Sequence, residues 1–198
     1  MKQDFVFGYG SLINKESRDK TEVSGEAIPV VARGIRRGWM IHMVDHRATA
    51  LSITKEENAI CNGVVFPLVT TNGLAKFDER ECKAGYERIQ IGLDAVPLGG
   101  ASLSEGTIWA YVSNYAQTPS KDMPVIQSYV DVIVTGCLRI GKDFAKEFVR
   151  TTDGWAGPWE DDRSAPRYVR PMARDASLET RIDELLAETI PEYFARRK

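Results

Sequence analysis

Residues 4–12 read DFVFGYGSL, that is Asp4, Phe5, Val6, Phe7, Gly8, Tyr9, Gly10, Ser11 and Leu12. The aromatic and β-branched start predicts a strand, and Gly8 and Gly10 predict a tight turn at its end. Glycines there permit positive φ and a close approach of backbone to a ligand. Consecutive N–H groups in such a turn can form an anion-binding concavity. The spacing matches neither GxxxxGK[ST] nor GxGxxG, so nucleotide binding is set aside. On local features alone, a plain glycine turn off an edge strand accounts for the motif more simply.

Working outward, residues 28–44 predict a strand bent or bulged at Gly34 and Gly38. Residues 48–54 and 60–69 predict two more strands, joined by a charged turn at Lys55–Asn58. A short helix is expected over 70–84, then strands over 86–92 and 106–112. From 124 the spacing turns helical, with Val125, Tyr129, Val132, Ile133 and Gly136 in one set and Phe144 and Phe148 in another. Pro124 suits a helix start. Residues 151–173 are rich in Gly, Pro and charge and predict a long loop with a wrapping or functional role. An amphipathic helix follows from Ser177, the expected N-cap. Strands first and helices last argue for α+β, a mixed or antiparallel sheet, closed as a small barrel, with helices at its flank. Residues 1–150 form the main domain in this reading, and 151–198 a wrapping loop and helix packed on it.

The chain has 198 residues, 43% hydrophobic and 27% charged, which suits one soluble domain and excludes wholesale disorder. A net charge of -2 gives no electrostatic pull towards nucleic acid or anionic lipid. No apolar run reaches the ~20 residues that span a bilayer. The N-terminus does not read as a signal peptide. Cys61, Cys82 and Cys137 are odd in number and widely spaced, which argues against a disulfide framework and for the cytoplasm. His42 and His46 are the two histidines; on a strand they stand roughly 13 Å apart, so both read as structural or surface residues and no metal site is expected. A proton-transfer group is therefore expected to be a carboxylate.

Phe77-Asp78-Glu79-Arg80-Glu81, followed by Gly85-Tyr86, is the acidic candidate. Partial desolvation would raise Glu81 towards the range useful for a general base. A solvated charged turn is the plainer alternative. Cys82 reads as a buried inert thiol. Tyr129 reads from its spacing as a core aromatic.

In order and spacing, these pieces resemble the γ-glutamylcyclotransferase superfamily, with its ChaC-type and AIG2-like members. The resemblance rests on Phe-Gly-Tyr-Gly-Ser-Leu at 7–12, Arg33 to Trp39, Asn62-Gly63-Val64-Val65-Phe66, Asp78 to Tyr86, and Tyr129 to Gly136, covering about residues 4–140. It implies a mixed barrel-like fold and conversion of a γ-glutamyl amide, glutathione or a relative, to 5-oxoproline. It implies Glu81 as the catalytic base, with Glu79 as fallback, and Phe7, Gly8, Tyr9, Gly10, Ser11, Leu12 and Tyr129 as substrate-binding residues. It implies no cofactor and no metal; the partner is a small γ-glutamyl substrate, and the oligomeric state stays open. Arg33, Arg36 and Arg37 are candidates for a leaving-group carboxylate, with surface salt bridging the plainer expectation. Two other readings stay open: a cyclotransferase for γ-glutamyl amines, and a non-catalytic module binding a γ-glutamyl or carboxylate metabolite.

Overall fold

A computed structural model describes residues 3–92, 94–113 and 115–198. Strand β1 (Gln3–Gly8) lies inside the sheet, which is why Phe5 to Gly8 are buried on both faces. It pairs antiparallel with β3 (Ala48–Pro67), Phe5 opposite Pro67 and Gly8 opposite Val64. On its other side it runs parallel to β6 (Gly106–Val112), Val6 opposite Trp109. Strand β2 (Ile28–Met43) forms a long hairpin with β3, turned by a 3-10 segment and by Arg47 at φ 47°. β4 (Glu87–Gln90) extends the sheet beyond β6, and β5 (Asp94–Pro97) extends it beyond β2. The order is β4-β6-β1-β3-β2-β5, with β8 (Thr152–Asp153) added parallel to β2. The architecture is α+β with a mixed sheet, as the sequence implies. Among the described residues the pairing ends at β4 and β5, so hydrogen bonds do not close the sheet into a ring.

Helix α1 (Lys15–Asp19) follows the glycine turn, and α2 (Gly73–Cys82) precedes β4. Helices α3 (Gln127–Ile140), α4 (Lys142–Arg150), α5 (Ala176–Thr189) and α6 (Pro191–Phe194) pack together at the sheet's flank. No helix among the described residues is long and apolar enough to cross a membrane.

Four local expectations change. Residues 48–67 are one strand element, because β2 pairs with both halves. The charged segment is a bulge, not a turn: the register jumps from Arg33–Ile60 to Ile35–Lys55, and residues 56–59 lie opposite Gly34. Gly34 sits at φ 71°, where a side chain would be strained. Pro124 does not start the helix, since Val125–Ile126 form the short strand β7, paired with β9 (Trp159–Glu160). The cap of α5 is Asp175, whose carboxylate accepts from the N–H groups of Ser177 and Leu178, so Ser177 lies inside the helix. β5 alternates in exposure but its residues, DAVP, do not alternate in polarity, and it has no counterpart in the sequence reading.

The core has one charged brace. Arg37 is 0% exposed and its donors meet only neutral acceptors. They reach Asn62 O at 2.5 Å, Asn62 Oδ1 at 3.1 Å, Phe148 O at 2.9 Å, and the hydroxyls of Thr151 and Thr152 at 2.9 and 2.8 Å. Replacing Arg37 leaves the buried Asn62 Oδ1 without a donor and takes one donor each from the Asn62 and Phe148 carbonyls, the latter keeping the Thr152 hydroxyl; a buried group left unsatisfied costs ~1–3 kcal/mol. Arg37→Met is therefore expected to lower unfolding free energy by about 3 kcal/mol or more in urea titration. Arg36→Met removes only exposed pairs with Asp153 and Glu56 and is expected to cost under about 1 kcal/mol. Equal effects would contradict the brace.

Candidate active site

The glycine turn is built by space more than by backbone freedom. Neither Gly8 nor Gly10 lies at positive φ, contrary to the expectation for this motif. A Cβ on Gly8 would come 2.8 Å from Leu12 Cβ, and one on Gly10 would come 3.3 Å from the Tyr129 hydroxyl. The chain turns through a 3-10 segment, Ser11–Ile13, in which Ile13 N–H donates to Gly10 O at 2.9 Å. The N–H groups of Ser11 and Leu12 precede that first bond of the turn.

Helix α2 brings the acids alongside. Its end is shaped by Gly85 at φ 84°, with Tyr86 N–H donating to Glu81 O at 3.1 Å. Helical phase then sorts the carboxylates. Asp78 accepts from Tyr111 Oη at 2.9 Å and pairs with Arg88. Glu79 is paired with Lys83 at 2.9 Å, with its side chain 58% exposed. Glu81 turns inward, with its side chain only 12% exposed. Cys82, expected to be buried, is exposed.

Arg80 ties the pieces together. Its guanidinium donates to Ser17 O and Thr21 Oγ1 at 2.7 Å each, to Ser11 Oγ at 3.1 Å and to Ser17 Oγ at 3.2 Å. Arg80 Nε also approaches Glu81 Oε1 at 2.8 Å, although that buried oxygen receives no directed hydrogen bond. Burial pushes the Glu81 carboxyl above the ordinary carboxylate range, and the cations Arg80 and Arg170 pull it only part of the way back.

A small hollow of about 30 Å³ lies over the glycine turn. Phe7, Tyr9, Gly10, Ser11, Leu12, Glu81 and Tyr129 all line it. Gly8 does not; its place is the tight contact with Leu12. Leu51, Tyr86 and Tyr111 complete the wall and were not singled out from the sequence as site residues. The Gly85-Tyr86 pair carried a signal for Tyr86, whereas Tyr111 looked like any strand aromatic. The hollow opens into a cleft of about 690 Å³, and Ser11, Glu81, Tyr86 and Tyr129 line both. The phenols are fixed: Tyr86 donates to Leu51 O at 2.6 Å and Tyr9 to Tyr111 O. Burial first, and the nearby phenol and carboxylate charges next, raise the Tyr129 hydroxyl, so it remains a neutral donor.

Tyr168, Val169 and Arg170 form the far wall of the cleft, at the end of a segment anchored from Asp162 onward. Asp162 accepts from Ser128 N–H and Ser128 Oγ, both at 2.7 Å, and so caps α3, whose own N-cap residue provides no side chain. Arg163 pairs with Asp131 at 2.8 Å and with Asp183 at 2.9 Å. Tyr168 stacks on Tyr129 with centroids 4.5 Å apart. Arg33, Arg36 and Arg37 line neither hollow nor cleft; Arg37 is spent in the core and Arg36 on surface acids. His42 and His46 lie on the cleft wall, and no group of three or more His, Cys, Asp or Glu converges among the described residues.

A family model described as "Gamma-glutamyl cyclotransferase, AIG2-like" matches residues 6–129. No curated protein matches the chain by sequence. Among solved structures, the fold is similar to one called "Gamma-glutamyl cyclotransferase", at 15% identity and TM-score 0.58, covering 92% of this chain and 99% of that one. It is equally similar to the protein loc79017 from Homo sapiens, at 16% identity and TM-score 0.58, with coverage of 92% and 99%. YkqA from Bacillus subtilis is similar at 16% identity and TM-score 0.55, covering 76% of this chain and 54% of that one.

The raised Glu81 pKa has a consequence for stability. At low pH the folded and unfolded chains both hold the proton. As pH rises past the unfolded-state pKa, the unfolded chain releases it first, and the folded state weakens until its own higher pKa is passed. Glu81→Gln has no proton to lose. The Tm of the variant minus that of the wild type is therefore expected to be more positive at about pH 8 than at about pH 4. Thermal melts showing a flat or reversed trend would contradict the desolvated carboxylate.

Proposed function

The chain belongs to the gamma-glutamyl cyclotransferase, AIG2-like family, and from that premise we propose that it cleaves a γ-glutamyl amide, glutathione or a relative, to 5-oxoproline and an amine. The observation that carries the reading is Glu81, a buried carboxylate with a raised pKa where the hollow over the glycine turn meets the open cleft.

The substrate holds its own nucleophile, the α-amine. Glu81 takes a proton from the α-ammonium, and the freed nitrogen attacks the γ-carbonyl carbon. A new C–N bond closes the five-membered ring while the carbonyl π electrons move to oxygen. The N–H groups of Ser11 and Leu12 face that oxyanion at the start of the 3-10 turn. Glu81 returns that proton to the leaving nitrogen as its bond breaks and the carbonyl re-forms, then takes the second proton from the ring nitrogen, so that the lactam keeps one N–H and the amine departs as an ammonium. Tyr129 donates to the glutamyl head, and the buried tyrosines hold the head in the folded geometry that ring closure needs. A carboxylate above its usual pKa suits both steps, because it accepts a proton readily and still releases it.

Glu81→Gln is expected to lower 5-oxoproline release by ~10²–10⁴-fold, while Glu79→Gln, altering an exposed pair, stays near wild type. The acid limb of kcat/KM is expected above the usual carboxylate range, with activity falling as pH drops through the raised Glu81 pKa. A Glu81→Gln enzyme with unchanged turnover overturns the mechanism. One observation favours a binding module instead: the Arg80 approach to Glu81 partly neutralises the carboxylate. Tight binding of glutathione with no 5-oxoproline formed would sustain that reading.

A further inference from the structure

The segment matched by the family model ends at residue 129, and the cleft does not. Its far wall is made by Tyr168, Val169 and Arg170. Arginines near Arg170 in the sequence or in the same wall are spent on carboxylates: Arg163 on Asp131 and Asp183, Arg167 on Glu160, Arg174 on Glu179, Arg197 on Asp183. Arg170 makes no ion pair among the described residues. It faces the cleft, half-buried, and its charge is felt at Glu81 across the opening.

We propose that Arg170 is a specificity-determining residue that selects γ-glutamyl amides whose leaving amine carries a carboxylate. The proposal rests on the cyclotransferase reading and adds to it which leaving group is taken. A guanidinium presents a planar fork that matches a carboxylate by two parallel N–H donors. The segment that carries the fork is anchored before any ligand arrives. Asp162 pins the segment to the start of α3, and Tyr168, two residues before Arg170, is stacked on Tyr129. The ordering left to be done on binding is that of the Arg170 side chain itself. The rest of the mouth agrees in sign, since Lys20, Lys76 and Lys83 outnumber Asp45 and Glu79 there. A leaving amine with a second ammonium meets repulsion at that wall; one with a carboxylate meets its complement. Arg33, Arg36 and Arg37 are elsewhere, so Arg170 is the arginine beyond Arg80 that this cleft presents.

The test measures 5-oxoproline release from γ-glutamyl-alanine, γ-glutamyl-alaninamide and γ-glutamyl-putrescine by wild type, R170Q, R170K and R170E. The wild type is expected to prefer the carboxylate over the amide by about 10-fold or more in kcat/KM, as a charge-assisted contact implies. R170Q should collapse that ratio to near unity, mainly by raising KM for γ-glutamyl-alanine. R170K should restore part of it, and R170E should shift preference towards γ-glutamyl-putrescine. Any effect of Arg170 on the Glu81 pKa acts on all three substrates alike and cancels in the ratio. A ratio that survives R170Q, or a variant that loses kcat equally on every substrate, overturns the inference and leaves the cyclotransferase reading intact. Absence of 5-oxoproline from every substrate with the wild type overturns the reading itself.

Discussion

The interaction on which the remainder rests is a guanidinium with no carboxylate beside it. Arg37 is taken wholly out of water, which is costly unless every donor is met. The answer is a set of neutral oxygens from three directions: Asn62 on β3, the end of α4 at Phe148 and Thr151, and Thr152 on β8. The ring of Phe148 lies 3.8 Å from the charge and adds a cation–π contact. A fourth, longer contact reaches Tyr9 O at 3.4 Å, just before the glycine turn. Asn62 completes the set by donating to Phe144 O at 2.7 Å. Helices at the flank and the strand that leads into the site are thereby held to one point inside the sheet.

A second guanidinium stands beside the proposed base and divides its donors. Arg80 gives directed hydrogen bonds to Ser11, Ser17 and Thr21, so the glycine turn and α1 claim most of its donors. Glu81 lies within 2.8 Å but off the donor direction. This arrangement reconciles two facts that look opposed. The carboxylate has a cation against it, yet burial still wins and its pKa is raised. A fully committed, two-pronged pair would have pulled the carboxyl downward and left a poor proton acceptor.

Some of this was legible in the order of residues. The strand over 106–112 stands out because a Gly/Ser loop precedes it and apolar residues fill it, and the structure places β6 there. The first strand and the helix with the acids stand out for similar local reasons. What local pattern cannot hold is a partner far along the chain. Val125 becomes a strand because Trp159 lies beside it, and α3 is capped by Asp162. The charged stretch after Thr54 has the composition of a turn and the geometry of a bulge, since both expose their side chains. Among Asp78, Glu79 and Glu81 the composition is nearly uniform; helical phase alone turns Glu81 inward. Arg170 sits in a segment without any period, so only its position in space sets it apart from its neighbours.

The wall that carries Tyr168 and Arg170 lies downstream of everything the family model matches. Two chains sharing the glycine turn and the acid therefore share an aptitude, and not an appetite. Kinship recognised from the first 129 residues groups such proteins by the bond they break. If Arg170 has the role proposed for it, sorting them by diet begins with the segment that walls the mouth, where a single exchange of residue is expected to rewrite the menu.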